Sequence, residues 1–357
     1  FFDGSSYRVG PESAGSNPGP ACYRRGGPLA VTDANVMLGK IHPRYFPSVF
    51  GPDGNLPLDK NIIVEKFTQL AQDIQNATGN TRTPEQVAAG FIAIAVENMA
   101  NAIKKISLQR GYDVTQYVLC CFGGAGGQVA CLIADTLGMK KIFLHPYAGV
   151  LSAYGMGLAD VRAIRESGVE QPLTQELIPQ LQQLMQVLET QARSELDTPE
   201  GQREFKASNE QEIVRKVNLK YEGTNSILTI DFALDVAMMR QEFEVEHKSR
   251  YGFIQIEKTL IVESASVEVI QKMDTPEEPL ITRNRPLKEV PTWVETVQIF
   301  TTDQWHNTPV YRREDLQPED NINGPAIIVE KISTIVVEPE WQASLTERNH
   351  LVLQRVD

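Results

Sequence analysis

The 357-residue sequence has few of the features that mark a membrane, secreted or nucleic-acid-binding protein. No uninterrupted apolar run approaches the roughly 20 residues that cross a bilayer. The opening residues "FFDGSSYRVGPESAG" lack the charged and apolar regions of a signal peptide. The net charge is −12 with no dense Lys/Arg cluster, which argues against a nucleic-acid surface or an anionic membrane patch. We therefore expect a cytoplasmic protein whose partners are small molecules or other proteins.

Cysteine is scarce, and its spacing excludes the common cysteine-based sites. The four cysteines are Cys22, Cys120, Cys121 and Cys131. They show no C-x-x-C spacing, and three of them lie around a glycine turn in apolar sequence, where a small buried thiol is usual. We predict reduced, structural thiols, with a metal or disulfide role as the alternative.

Hydrophobic residues make up 41% and charged residues 22% of the sequence, which is typical of a globular protein with two or three domains. Residues 1–57 are rich in Gly and Pro and predict ordered loops that line a site or an interface. Apolar residues then recur every three to four positions from Pro84 to Arg110, with Thr83-Pro84-Glu85 as a start signal. This pattern predicts a long, largely buried helix.

A strand, a glycine turn, a helix and a second strand follow between Tyr117 and Pro146, which is the order of an α/β unit. Later, residues 173–196 have the apolar spacing of an amphipathic helix, and the polar segment 197–210 predicts a solvated loop. The rest is predicted to be mainly β, with one helix from Met238 to Tyr251. We therefore predict an α/β domain at 1–165 and a β-rich, α+β domain at 166–357.

The glycine turn in "CFGGAGGQVACLIADTLGM" places four glycines in five positions. It is not a dinucleotide fingerprint, because that pattern started at Gly124 requires glycine where Val129 stands, and no Gly-Lys-Ser/Thr ending marks a P-loop. Two interpretations remain. The glycines let a ligand approach backbone N–H groups at the start of a helix, or they only permit tight packing between strand and helix.

Several long sequence blocks resemble the hydantoinase A/5-oxoprolinase family, most closely the 5-oxoprolinases. They are "GPESAGSNPGPACYRRGGPLAVTDANVMLGKI", "CFGGAGGQVACLIADTLGM", "HPYAGVLSAYGMGLADV", "KYEGTNSILTI" and "GPAIIVEKISTIVVEPEWQA". The resemblance implies that the first half belongs to an actin-like, sugar-kinase-like ATPase fold and that "FGGAGG" is its adenosine motif. It also implies ATP and Mg²⁺ as cofactors. The residues placed against the nucleotide by this resemblance are Gly123, Gly124, Ala125, Gly126 and Gly127.

The resemblance further implies a reaction and a partner. A lactam such as 5-oxoproline, or a hydantoin ring, is a stable amide, and phosphorylation of its oxygen makes the ring carbon electrophilic so that water opens the ring. A hydantoinase B-like subunit or fused second half is expected to complete the opening, and an oligomer is expected. ATP-dependent carboxylases that act on ketones resemble the chain in the same sequence blocks, so ketone carboxylation is the alternative reaction. The family's upstream Asp-x-Gly-Gly-Thr phosphate motif does not occur in this sequence, so the chain resembles a fragment, and a noncatalytic docking module is the second hypothesis.

The residues themselves suggest a few further site candidates. Asp33 and Asn35 in "TDAN" are placed in a turn-rich segment after a short strand, where they suit a metal-bound water, a substrate contact or turn capping. Glu12 and Ser13 suit either a phosphate or substrate contact or a capped turn. His145 follows a strand and precedes Pro146, so it contacts a ligand or is satisfied by backbone hydrogen bonds. The remaining histidines are scattered without metal-ligand spacing: His42, His247, His306 and His350.

Overall fold

The computed structural model describes residues 1–196, 207–275, 277–286 and 289–356, with the side chains of 207–210 left out of account. Two compact units divide the chain. The first contains Phe1–Ser107, Asp113–Leu151 and Glu278–Asp357, and the second contains Leu108–Tyr112 and Ser152–Glu277. Each unit therefore has its own core, and the chain leaves the first unit and returns to it.

The described residues form seven α-helices: α1 (Val31–Met37), α2 (Lys60–Thr78), α3 (Pro84–Gln109), α4 (Ala130–Leu137), α5 (Leu151–Leu158), α6 (Ile178–Leu196) and α7 (Val236–Tyr251). They also form thirteen strands: β1 (Leu119–Cys120), β2 (Lys141–Leu144), β3 (Val161–Pro172), β4 (Ala207–Tyr221), β5 (Leu228–Asp231), β6 (Leu260–Met273), β7 (Glu295–Thr301), β8 (Gln304–Arg312), β9 (Asn321–Asn323), β10 (Ala326–Val329), β11 (Thr334–Val337), β12 (Trp341–Leu345) and β13 (Leu351–Arg355).

Helix α3 begins where its sequence signal predicts. Thr83 Oγ1 accepts a hydrogen bond from the Gln86 N–H at 3.2 Å, and Gln86 Oε1 accepts one from the Thr83 N–H at 3.1 Å, which is a reciprocal capping box. By length and composition α3 also passes as a membrane-spanning helix. Its N-terminal two thirds carry a buried face that extends from Val87 to Ala100, whereas Ile106 is 57% exposed. The prediction of a long helix is confirmed, but its last turns are less buried than expected.

The first unit contains two sheets. One has the strand order β1-β2-β13-β12-β9, in which only β1 and β2 run parallel, and the other has the order β11-β10-β8-β7. The predicted strand–turn–helix–strand unit is confirmed as β1, the glycine turn, α4 and β2, with Gly138 ending α4 in the left-handed conformation at φ +69°. Strand β1 is shorter than the apolar run Tyr117–Phe122 from which it was predicted.

The C-terminal strands belong to a different unit than the sequence pattern indicates. The pattern assigns all of 166–357 to one β-rich domain, but β7 to β13 lie in the first unit with β1 and β2. Strand β13 pairs antiparallel with β2, with Leu353 opposite Ile142, and both side chains are fully buried. The two compact units therefore do not meet at a single boundary near residue 165. Strand β1 pairs with one edge of β2, and β13 covers the other edge, which would otherwise be unpaired.

Among the described residues, the second unit is an antiparallel sheet of order β3-β6-β4-β5 with helices α6 and α7 and nearly all of α5. The predicted amphipathic helix is confirmed as α6, whose buried face includes Leu181, Met185 and Leu188. The helix predicted at 238–251 is confirmed as α7. The loop predicted at 197–210 falls mostly on 197–206, outside the described residues, and from Ala207 onward the chain is already strand β4. This unit is the α+β part of the predicted fold class.

A buried ion pair joins the N-terminal and C-terminal segments of the first unit. Lys40 Nζ donates to Glu338 Oε1, and the two side chains are 3% and 4% exposed. Thr301 Oγ1 donates to the other oxygen of Glu338 at 2.6 Å, so both carboxylate oxygens have partners. Removing one partner of such a pair leaves a buried charge without compensation.

We expect Lys40→Met to lower the free energy of unfolding by about 3–5 kcal/mol, because the buried Glu338 then loses its ion-pair partner. The double variant Lys40→Met/Glu338→Leu should recover most of this loss, since both charges are gone. Lys105→Met, at an exposed position on α3, is the matched control with an expected change within about 0.5 kcal/mol. Urea unfolding followed by circular dichroism measures all three. Equal stability of Lys40→Met and the control would contradict the role assigned to the pair.

Candidate functional site

The candidate site lies where the parallel strands β1 and β2 end. The glycine turn follows β1, and His145 directly follows β2. The two segments touch, because the Gly123 N–H donates to the Ala148 carbonyl at 2.7 Å and the Ala148 N–H donates to the His145 carbonyl at 2.9 Å. Ligands of open α/β sheets bind outside the carboxyl ends of parallel strands. The fold therefore brings two sequence-predicted site segments to one edge.

The glycines of the turn have different surroundings. A Cβ on Gly127 would lie 2.8 Å from Ile335 Cγ1, and one on Gly126 would lie 2.9 Å from Cys121 Sγ. Gly127 is buried. Gly123 has φ +89° and nothing within 4 Å of a Cβ position. The C-terminal end of the turn therefore requires glycine for packing, whereas Gly123 requires it for its left-handed backbone.

The middle of the turn offers backbone donors to solvent. Gly124 and Ala125 are both exposed. Within the described part of the chain, neither backbone N–H donates a hydrogen bond, while the Gly126 N–H donates to the Gly123 carbonyl at 3.2 Å. A 3₁₀ turn, Gly126–Gln128, then leads into α4. Two exposed donors at the entry of a helix suit acceptor or anionic atoms of a ligand, as a nucleotide would present.

Asp33 is fully buried in the first turn of α1, so the prediction of a turn after a short strand is wrong at this point. Its carboxylate accepts three backbone hydrogen bonds, from Ala21 at 3.0 Å, Cys22 at 2.9 Å and Ala30 at 2.7 Å. Both oxygens are thereby occupied. This geometry favours the capping alternative for Asp33, since it holds the 20–30 loop against the helix.

Asn35 is also buried, and it contacts the 3₁₀ turn Gly126–Gln128 that leads into α4. Its Nδ2 donates to Gln128 Oε1 at 2.9 Å, whereas its Oδ1 is buried without a hydrogen-bond partner among the described residues. Glu12 and Ser13 are exposed, and Ser13 Oγ accepts a hydrogen bond from the Gly15 N–H at 3.1 Å. The capped-turn alternative therefore has geometric support at Ser13, and a ligand contact by Glu12 stays a prediction.

His145 lies among residues that the sequence analysis did not connect with it. Strand register sets Leu351 opposite Leu144, and the next position of the same register sets His350 opposite His145. The ring centroids of the two histidines are 5.3 Å apart. Glu278, from the segment after β6, places Oε1 3.4 Å from His145 Nε2 and Oε2 3.5 Å from His350 Nε2. No sequence spacing indicates this cluster, because β-strand register creates it.

Hydrogen bonds define the state of the cluster. His145 Nδ1 accepts from the Tyr147 N–H at 3.1 Å, so the neutral ring carries its proton on Nε2, facing Glu278. The hydrogen bond from His145 holds the pKa of Glu278 below its usual value. Burial lowers the pKa of His350, so this imidazole is neutral at neutral pH. The Glu278 carboxylate therefore lies between the imidazoles of His145 and His350.

Charged and thiol groups near the glycine turn are held in structural roles. Glu330 accepts from Arg313 and from Ser333, and both ion-pair side chains are 8% exposed. The four cysteines are free thiols, as predicted. Burial raises the pKa of Cys121 to about 12 and also raises the pKa of Cys22 and Cys131, which makes all three unreactive. Cys120 is exposed, so the expectation of burial is wrong there.

Family comparison matches nearly the whole chain in two parts. Residues 1–165 match the hydantoinase/oxoprolinase family, and residues 170–356 match the hydantoinase/oxoprolinase C-terminal domain. The chain therefore belongs to the hydantoinase/oxoprolinase family. This confirms the resemblance inferred from the sequence blocks.

One curated relative and two solved structures are similar to this chain. A 5-oxoprolinase from Dictyostelium discoideum is 36% identical over 97% of this chain, which covers 27% of that relative. The crystal structure of ATP-dependent caprolactamase from Pseudomonas jessenii is 26% identical, with a TM-score of 0.82 over 99% of this chain and 50% of that one. Acetone carboxylase in its nucleotide-free structure is 20% identical, with a TM-score of 0.70 over 98% of this chain and 50% of that one.

The structural likeness confirms the α/β, ATPase-type fold class. The chain spans about a quarter of the 5-oxoprolinase and about half of the two solved chains.

We expect Asp33→Asn to lower the free energy of unfolding by about 2–3 kcal/mol, because an amide nitrogen then faces a buried N–H donor. Glu12→Gln, at an exposed position in the same segment, should change it by less than about 0.5 kcal/mol. Urea unfolding measures both. Unchanged stability of Asp33→Asn would contradict the capping role and return Asp33 to the ligand-contact hypothesis.

Proposed function

We propose that this chain is the nucleotide-binding part of an ATP-dependent cyclic-amide hydrolase that acts on 5-oxoproline or a hydantoin. The single observation that carries the proposal is the glycine turn at the end of β1, with two exposed and unused N–H donors on Gly124 and Ala125. Family membership, the 36% identical 5-oxoprolinase and the caprolactamase neighbour support the reaction class. Activation of the amide oxygen is the chemistry that bound ATP would supply, and the assignment of that phosphorylation to this half is part of the proposal.

The residues of the chain contribute binding and orientation. Gly124 and Ala125 donate backbone hydrogen bonds to the nucleotide, and Gly123 keeps the approach open because no atom lies within 4 Å of its Cβ position. Gly126 and Gly127 hold the turn against Cys121 and Ile335, so that the two donors keep a fixed direction. Preorganised donors of this kind stabilise ligand charge without further reorganisation.

The carboxylates of Glu330 and Asp33 already have partners and do not suit Mg²⁺ as they stand. Glu330 is bound to Arg313 and Ser333, and Asp33 accepts three backbone N–H groups. Mg²⁺ therefore remains a proposal from family resemblance, with ATP phosphates as its expected ligands.

Partners and location are proposed on the same basis. A caprolactamase subunit alpha from Pseudomonas jessenii is 28% identical over 95% of this chain, and its designation as a subunit supports assembly with a hydantoinase B-like subunit or a fused second half. We propose an oligomeric, cytoplasmic enzyme with no nucleic-acid or membrane partner. The ketone carboxylase alternative has only the fold likeness of acetone carboxylase behind it.

Binding of nucleotide at the turn is tested with Ala125→Glu, which adds bulk and negative charge at an exposed position without disturbing the packed glycines. Calorimetric titration with Mg-ATP and with adenosine should show binding to the unmodified chain and at least about tenfold weaker Mg-ATP binding to Ala125→Glu, which is about 1.4 kcal/mol. Ala102→Glu, at an exposed position on α3, is the matched control and should bind normally. Equal heats for all three proteins would remove the turn from the nucleotide site.

The reaction class is tested by phosphate release from ATP with the chain in its native protein and with its hydantoinase B-like half. We expect release to depend on 5-oxoproline or hydantoin and not on acetone with bicarbonate. The isolated 357-residue chain should show no turnover, because the sequence contains no Asp-x-Gly-Gly-Thr phosphate motif. Release that depends on acetone and bicarbonate would favour the carboxylase, and partner binding without any nucleotide affinity would favour the docking module.

A further inference from the structure

The cluster of His145, Glu278 and His350 has the composition of a transition-metal site. One ligand atom from each of the three side chains lies within 4.8 Å of the others. Imidazole nitrogen together with one carboxylate oxygen is the donor set of Zn²⁺ and its neighbours in the first transition row, whereas Mg²⁺ and Ca²⁺ prefer oxygen alone. We propose that these three side chains bind a divalent transition-metal ion of the Zn²⁺ type, independently of the nucleotide function proposed above.

The distances within the cluster suit an ion better than they suit hydrogen bonds. Glu278 lies 3.4 Å from His145 Nε2 and 3.5 Å from His350 Nε2. Charge-assisted hydrogen bonds are shorter, about 2.7–2.9 Å. Metal bonds of about 2.1 Å at tetrahedral angles place neighbouring ligand atoms roughly 3.4 Å apart. Each imidazole nitrogen therefore lies at a ligand-like distance from a Glu278 oxygen, and one ligand atom of each side chain lies within 4.8 Å of the others.

His350 provides the second observation. Its Nε2 atom is buried and has no hydrogen-bond partner among the described residues. A buried polar nitrogen without a partner costs free energy, and bonding to an ion would remove that cost. The ring is held in place by an edge contact with Phe143, at a centroid distance of 4.8 Å.

The three proposed ligands lie in three separate segments of the chain. His145 directly follows β2 and His350 directly precedes β13, so the pairing of Leu144 with Leu351 positions both. Glu278 is anchored nearby because the Ile281 N–H donates to the Glu347 carbonyl at 2.7 Å. Arg348 also approaches Glu278, at 3.6 Å, but its side chain is 62% exposed and is free to move into solvent when a cation binds. Three protein ligands leave a fourth position for water or another ligand.

Binding requires one proton to change place. The neutral His145 ring carries its proton on Nε2, because Nδ1 accepts from the Tyr147 N–H. An ion at Nε2 moves that proton to Nδ1, which ends the contact with Tyr147. The loop that carries Tyr147 and Ala148 must then adjust, and this loop also holds the Gly123 N–H. We therefore expect metal binding to alter the environment of Tyr147, which is 52% exposed.

Titration of the purified chain with Co²⁺, followed by visible absorption, tests the proposal. We expect one ion per chain with d–d bands of a four-coordinate centre, displacement by Zn²⁺ and no competition from Mg²⁺. Glu278→Gln and His350→Asn should each weaken binding at least about tenfold. His306→Asn is the matched control, since His306 lies on β8 and contacts Thr302 Oγ1 at 3.1 Å instead.

Circular dichroism checks that the variants fold. Glu278 lies in a segment outside the strands. If His350→Asn does not fold, Glu278→Gln therefore still tests the proposal. Absence of Co²⁺ binding would overturn the proposal. So would binding that both variants leave unchanged, or a near-ultraviolet thiolate band that places the ion on the exposed Cys120.

Discussion

The antiparallel pairing of β13 with β2 is the contact on which the first unit depends. It joins the last described strand to the end of the α/β segment and buries Ile142, Leu144, Leu351 and Leu353 in one sheet. A shift of this register by one residue would turn each of these side chains toward the opposite face. The same register, continued by one position, sets His350 opposite His145. The pairing of β2 with β13 therefore positions both the core side chains and the cluster of His145, Glu278 and His350.

The glycine turn combines the two roles that its sequence left open. Gly126 and Gly127 lie against protein side chains and serve packing, while Gly124 and Ala125 are exposed and their backbone N–H groups donate no hydrogen bond within the described residues. A packed end gives the turn rigidity, and an open end gives it access to a ligand. The alternatives of ligand approach and tight packing are therefore compatible, because they concern different residues of the same turn.

Buried polar groups in the first unit mostly hold segments together. Asp33 gathers three backbone N–H groups, and the Lys40–Glu338 pair with Thr301 connects the N-terminal and C-terminal segments. Such groups are costly to bury and are stable only when all partners are in place. The Glu278 cluster differs, because its contacts are longer than good hydrogen bonds and one of its imidazole nitrogens has no such partner.

Local sequence determined the local elements. The Thr83–Gln86 box and the following apolar spacing define α3, the glycines around α4 define its beginning and end, and the apolar face of α6 is readable from its period. Each signal acts within one or two helical turns, so the sequence alone carries it. The long sequence blocks likewise determined the family and, with it, the expectation of a nucleotide turn.

Only the tertiary structure decided which distant segments meet. It assigned β7 to β13 to the first unit, placed three backbone N–H groups on the Asp33 carboxylate, and brought Glu278 and His350 to His145. The physical reason is that strand pairing depends on the complementary burial of side chains far apart in the chain. Spacing within one segment contains no information about the strand that will lie beside it.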